Sequence, residues 1–190
     1  MSAATRTPRG AARENILRTA LELFYEGGVQ AVGVDTISER AGVAKVTLYR
    51  HFPTKAELVS AVLEAADTGY LAAYRAAMDA AGNDPRERIA ALFDGLDALA
   101  QQAGYRGCIF INAGLALADV DHPAHERVAR HKDALRDLLA DELRASGHPD
   151  VERAAEQLLL LVDGTLVAGA LRPARHPARS AAELAIKVFD

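Results

Sequence analysis

Gly42 sits between two short stretches of helical spacing, and that arrangement leaves the chain around it few ways to fold. Before it, Val34, Ile37 and Ala41 recur on one face, so residues 34–41 predict a short amphipathic helix. A glycine just past a helix end takes the left-handed conformation without a Cβ penalty, and the chain can reverse and start a second helix within a few residues. This is the helix-turn-helix plan. In the second helix Val43, Leu48 and Phe52 are the apolar positions. Lys45, Thr47, Tyr49, Arg50 and His51 place donors elsewhere on a cylinder that fits a major groove. Pro53 ends it, because a proline biases the residue before it away from helical geometry.

The rest of the chain also reads as helical. A first helix is expected from about Gly10 to Glu26, with Ile16, Leu17, Ala20, Leu21 and Phe24 as its apolar stripe and Gly27-Gly28 as its stop. Arg6, Arg9 and Arg13 lie among Thr, Pro and Gly near the amino end. They form either a basic arm that reaches phosphates or the minor groove, or a solubilising tail. Thr54 and Glu57 form a capping box that starts a long fourth helix, carried to about Ala80 by Leu58, Val59, Val62, Leu63, Ala66 and Tyr70. Asp84 as cap and Pro85 at the first position start a fifth, with Ile89, Leu92, Phe93, Leu96 and Leu99. Four more are expected over Cys108–Leu117, Pro123–Ala145, Val151–Leu171 and Ser180–Phe189, the last started by Ser180 and Glu183. No strand pattern and no solenoid repeat emerges.

Charge is unevenly placed. The net charge is −4, yet residues 1–56 hold eight Lys/Arg against five Asp/Glu, and residues 57–190 hold fourteen against twenty-one. A basic head on an acidic body would orient the molecule on DNA. Cys108 is the one cysteine, so no intrachain disulfide can form and a reducing, cytoplasmic setting is expected. The first thirteen residues are polar and basic, without the apolar core of a signal peptide. The apolar run Leu158–Leu171 is interrupted by Asp163 and two glycines and reads as too short for a bilayer, so no membrane partner is expected.

Gly42-Val43-Ala44-Lys45, then Thr47-Leu48-Tyr49-Arg50-His51-Phe52, then Lys55 and Leu58, resemble the DNA-binding signature of the TetR family of transcriptional regulators (TetR/AcrR type). The resemblance is strong over residues 10–65 and covers the remainder only in outline. It implies an all-α chain of about nine helices. A three-helix head, residues 1–54 with its helix-turn-helix at about 33–52, joins through the long fourth helix to a ligand-binding and dimerisation body, residues 55–190. It also implies a homodimer on a palindromic double-stranded operator, released by a small-molecule effector. Repression is the family's usual mode, with ligand-responsive activation the alternative. Lys45, Thr47, Tyr49, Arg50, His51 and Lys55 match positions that contact DNA in relatives. Tyr49 and Lys55 resemble phosphate anchors, and Thr47 and Arg50 resemble base readers. Two departures from the pattern are Val32-Gly33, where relatives carry Ser/Thr, and Val46, where they carry a smaller residue. Asp35 or Gly33 must then cap the second helix, and Val46 is placed to meet a thymine methyl. Thr36, Arg9 and Arg13 complete the expected DNA-binding set.

One short head buries too little DNA for tight specific binding, which favours two symmetric heads. The expected dimerisation residues are Leu158, Leu161, Gly164, Thr165 and Ala168 in the eighth helix and Leu184 and Val188 in the ninth, the alternative being an intramolecular face. Leu63, Ala66, Phe93, Leu96, Phe110, Leu115 and Leu161 either line an effector cavity or form plain core. Tyr70, Asn112 and Asp163 are polar intruders in apolar runs, and the first two join the expected ligand-binding set. A modest, mainly hydrophobic effector is expected. Cys108 beside Arg106 is either a thiolate sensor or a buried structural thiol. His122, His125 and His131 with Asp119 and Asp121 match no tight metal spacing, so neither metal nor cofactor is expected. An enzyme is the rival class, but the chain has no Gly-rich phosphate loop, nucleophile elbow or paired buried carboxylates. A helical interaction module without DNA binding is the other rival.

Overall fold

A turn with Gly42 at φ +64° organises the first part of the molecule. In the computed structural model, which describes residues 9–190, helix α2 (Val34–Arg40) ends in a paired carbonyl cap. The Gly42 amide donates to Glu39 O and the Val43 amide to Ser38 O, at 3.1 and 3.0 Å. This is the Schellman closure, and its left-handed residue is the position where a side chain costs most. Asn15 of helix α1 (Arg9–Gly27) donates from Nδ2 to Ala41 O at 2.7 Å, tying the turn to α1. Helix α3 (Lys45–His51) follows and packs on α1 and α2, its Leu48 buried along with Phe52 just past its end and with Ile16, Ala20, Phe24 and Ile37 of those helices. The α2 cap is Gly33 in extended conformation, without a side-chain bond, so Asp35 does not serve as the cap.

The described residues contain nine α-helices, one 3₁₀ turn and no strand. Beyond α3 they are α4 (Lys55–Asp79), α5 (Pro85–Ala100), α6 (Ile109–Ala116), α7 (Ala124–Ala145), α8 (Val151–Leu171), the turn Pro173–Arg175, and α9 (Pro177–Lys187). Local sequence chemistry sets several starts. The Glu57 amide donates to Thr54 Oγ1 at 3.1 Å, and the Arg86 amide donates to Asp84 Oδ1 at 2.9 Å with Pro85 at the first turn. Helix α9 begins three residues before the expected Ser180. Pro177, whose fixed φ suits a first helical position, starts it after His176 reverses the chain at φ 48°.

The helices fall into two compact units, one holding residues up to Ala66 together with Asn112–Val128, the other Asp67–Ile111 with Ala129–Asp190. Helix α4 supplies residues to both. The first unit is the three-helix head with the start of α4, the end of α6 and the start of α7. In the second, α5, α8 and α9 pack on one another, and Leu92, Phe93, Leu96, Leu158, Val162, Leu166, Ala181 and Ala185 are buried. A Cβ on Gly169 would stand 3.1 Å from Ala100 Cβ, so that glycine sets how closely α8 approaches the end of α5. Arg88 ties three parts of this unit together, bonding Glu142, Asp79 and the Gly82 carbonyl. By length and composition α8 is apolar enough to cross a membrane, contrary to the expectation from its interrupted run. One face of it is consumed by packing: Ala154, Ala155, Leu158, Val162, Leu166 and Gly169 are buried.

Candidate nucleic-acid interface

Helix α3 has an inner and an outer face, and the apolar pattern decides which is which. With Leu48 and Phe52 turned inward, Lys45, Val46, Tyr49 and Arg50 are left exposed, Val46 at 73%. Thr47 is half-buried beside them, and Thr36 of α2 is exposed. The outer face therefore offers an ammonium, a guanidinium, a phenol hydroxyl and an isopropyl group, which can engage phosphates, base edges and a thymine methyl.

His51 is only partly on that face. Its ring lies 6.3 Å from that of Phe52, and its Nε2 is buried without a partner. Arg13 departs from the expected arm. It lies inside α1 with its guanidinium 5.4 Å from the centre of the Phe52 ring, a cation–π contact that braces α3 from behind. Arg9 opens α1, its side chain outside what the structure describes, and Arg6 lies outside the described residues altogether.

Two of the cations are already engaged. Lys45 Nζ lies 2.6 Å from Asp35 Oδ1, and that bond, with the carboxylate's charge, holds the ammonium above its ordinary range. Lys55 donates from Nζ to Gln30 O at 3.2 Å, while partial burial pulls its ammonium below the usual range. The Gln30 side chain donates in turn to Ala116 O, the last residue of α6, at 3.0 Å. Sequence patterns do not reveal either tie, because each joins residues on different elements. The Asp35 pair has a measurable consequence. An Asp35→Asn variant should bind every duplex several-fold more tightly at low salt, and its log K against log salt slope should steepen by up to about 0.9, the increment of one phosphate contact. Anisotropy titrations across salt concentrations check this, and an unchanged slope would mean that the freed Lys45 ammonium meets no phosphate.

The residues expected to bind a ligand are divided between the units. Leu63 and Ala66 of the first unit are buried, whereas Asn112 is exposed and Leu115 is 83% exposed, so Leu115 is neither core nor cavity wall within its unit. Its helical spacing fits an inner face, but α6 turns that position outward. In the second unit Phe93, Leu96 and Phe110 are buried and Tyr70 and Leu161 half-buried. Leu96 also lines an open groove of about 210 Å³ with Ala73, Tyr74, Ala77 and Leu99. Asp163 pairs with Lys132, and Cys108 is buried, which raises its thiol pKa and makes it a poor thiolate. Among the histidines, His125 Nε2 meets Leu117 O and His122 Nδ1 accepts from the Ala124 amide. His131 pairs with Asp67.

The expected dimerisation residues also separate. Leu158 and Thr165 are buried inside the second unit and offer nothing to a partner. Gly164 and Leu184 are exposed, and Leu161, Ala168 and Val188 half-buried. Sequence reasoning missed the most exposed apolar side chains of α8, Leu160 at 71% and Leu171 at 74%, with Val167 between them. Spacings of three and four residues put Leu160, Gly164, Val167, Ala168 and Leu171 on one stripe, and that count was the available signal.

With this geometry in place, comparison with known proteins is informative. The profile of the bacterial regulatory proteins of the tetR family matches residues 16–62. The HTH-type transcriptional activator FasR of Mycolicibacterium smegmatis is 33% identical over 147 residues, covering 75% of this chain and 65% of FasR, so the chain spans just under two thirds of that relative. The HTH-type transcriptional repressor KstR2 of Mycobacterium tuberculosis is 36% identical over 81 residues, 43% of this chain and 40% of that protein. Among solved structures, SCO4454, a TetR-family transcriptional regulator from Streptomyces coelicolor, superposes with a TM-score of 0.84 at 31% identity and covers 95% of both chains.

Proposed function

Because the chain belongs to the TetR family of bacterial regulators, we propose that it is a sequence-specific DNA-binding transcriptional regulator, working as a homodimeric repressor that a small, mainly hydrophobic effector releases from a palindromic operator. The observation that carries this reading is the outer face of α3, where Lys45, Val46, Tyr49 and Arg50 are exposed around a buried Leu48. In it Arg50 reads a base, Tyr49 and Lys55 hold phosphates, and Val46 and Thr47 meet base edges. Regulation rather than turnover is the role, and the cytoplasm, with the nucleoid when DNA-bound, is the setting. Relatives that are transcriptional regulators support this. The name of FasR, an activator, favours a second reading in which the chain is a ligand-responsive activator.

Release needs a connection between the effector and the spacing of the two heads. Helix α4 begins beside the head and ends in the second unit, and residues 112–128 after the middle of α6 pack in the first unit with the head. An effector that favours one arrangement of α4 and α6 changes operator affinity by its differential binding, typically about 1–3 kcal/mol.

Selection of bound fragments from randomised DNA tests the first half of this reading. Arg50→Ala should flatten the preference at one position of each half-site, removing about 1–3 kcal/mol of discrimination. An unchanged selected sequence would take Arg50 out of the reading set, and failure to retain any duplex at low salt would overturn the function.

A further inference from the structure

Helix α7 carries a histidine on its buried stripe. His131 follows Val128 by three residues and precedes Leu135 by four, and it is fully buried. Its Nδ1 lies 2.6 Å from Asp67 Oδ1, its ring stacks on Phe110 at 3.7 Å between centroids, and Tyr70 meets both rings edge-on. The Asp67 carboxylate can only accept, so Nδ1 carries the proton. Burial lowers the pKa of the imidazole and keeps the ring neutral. In that tautomer Nε2 presents a bare lone pair, and this atom is buried without a partner.

A second orphan lies in the same unit. Tyr74 is 5% exposed, and its hydroxyl is buried with no hydrogen-bond partner. Cys108, Tyr70 and Asp163 lie within electrostatic reach of it, and Asp163 also acts on His131 and Cys108, so these groups share one interior region. Burial keeps the phenol protonated. Leaving such groups unsatisfied is costly, and a structure that keeps two of them in one region is shaped for something that satisfies them.

We infer that this region holds the effector of the regulatory reading, on which the inference rests, and that the effector is a neutral, mainly apolar molecule with a hydroxyl group that donates to His131 Nε2, the Tyr74 hydroxyl supplying a second polar contact. The rings of Phe110, Tyr70 and Tyr74 suit an apolar, preferably aromatic body. Charge excludes an anion. Asp163 is matched by Lys132 and Asp67 is bonded to a neutral ring, which leaves the region with surplus negative charge. A base lone pair at the reading atom selects a donor and discriminates against the same molecule with its hydroxyl methylated.

Three probes test this on the full chain: thymol, its methyl ether, and cuminate as the carboxylate of similar size. Calorimetry should give thymol binding roughly tenfold tighter than the ether, the worth of one hydrogen bond to a buried acceptor, with cuminate weakest. His131→Phe should bind thymol and the ether equally, whereas a role confined to packing would weaken both alike and keep their ratio. Should that variant fail to fold, the ring ¹⁵N resonance of His131 Nε2 in the unaltered chain should move on thymol addition and stay put with the ether. Equal binding of thymol and ether, preference for cuminate, no thymol binding up to its solubility limit, or an unmoved resonance would each overturn the site. Operator occupancy is read separately. Thymol bound with this preference but without effect on DNA overturns the release mechanism and leaves the site standing; release by cuminate with thymol inert does the reverse.

Discussion

A Leu160→Glu, Leu171→Glu double variant should run as a monomer in sedimentation and lose at least about a hundredfold in operator affinity, while keeping its helical content and thermal transition. Both side chains are more than two thirds exposed on α8, on the stripe shared with Gly164, Val167 and Ala168, and Leu184 of α9 is exposed as well. An exposed apolar stripe with small residues between large ones lets another helix approach closely, and a second copy presents the same stripe by symmetry. Carboxylates there cost nothing in the isolated chain but cannot be desolvated in an interface. The loss on DNA is large because two linked heads gain about two to four orders of magnitude from effective concentration. Leu158→Glu is the contrasting control. That side chain is fully buried, so the substitution should unfold the second unit instead of separating subunits. A double variant that stays dimeric would place the interface elsewhere.

Phe52→Ala should destabilise the head by about 3–5 kcal/mol, the usual cost of emptying a buried phenylalanine site. Phe52 is buried where α3 ends, with the Arg13 guanidinium over its ring. With seven residues, α3 has too few backbone bonds to persist alone, so its geometry is inherited from this contact. A loss of that size is a large share of a typical domain's stability. Urea unfolding of the full chain should show an early transition, with DNA binding lost at the denaturant concentration where it occurs. A loss under about 1 kcal/mol would mean that α3 is held by other contacts.

Where local chemistry sets a feature, the sequence was enough. The left-handed Gly42, the Thr54 cap on Glu57 and the Asp84-Pro85 start all appear where residue type required them, and Leu48 and Phe52 face inward as their spacing predicts. Position around an apolar helix was harder to read. Leu158 and Leu160 are two residues apart, about 200° around the cylinder, so one faces the core and the other does not. In a helix apolar on most sides, the spacing groups residues into stripes but does not say which stripe faces the core. Leu115 was misplaced for the same reason. The start of α9 was missed because Ser180 and Glu183 resemble a cap, although Pro177 had already begun the helix. His131 was noticed only as a metal candidate, although its place on the stripe of Val128, Leu135 and Leu138 marked it as buried. Ion pairs such as Lys45 with Asp35 depend on how two helices are set against each other across a turn, and no spacing rule encodes them.

On the proposed reading, the tie from Lys55 through Gln30 to the end of α6 would couple the two sites in both directions. A phosphate that draws the Lys55 ammonium toward itself competes with the Gln30 carbonyl, and any resulting shift of Gln30 pulls at Ala116. By reciprocity, whatever factor the effector takes from operator affinity, the operator takes from effector affinity. On the proposed reading, protein seated on its operator would therefore need more effector for half-saturation than protein free of DNA, by that same factor.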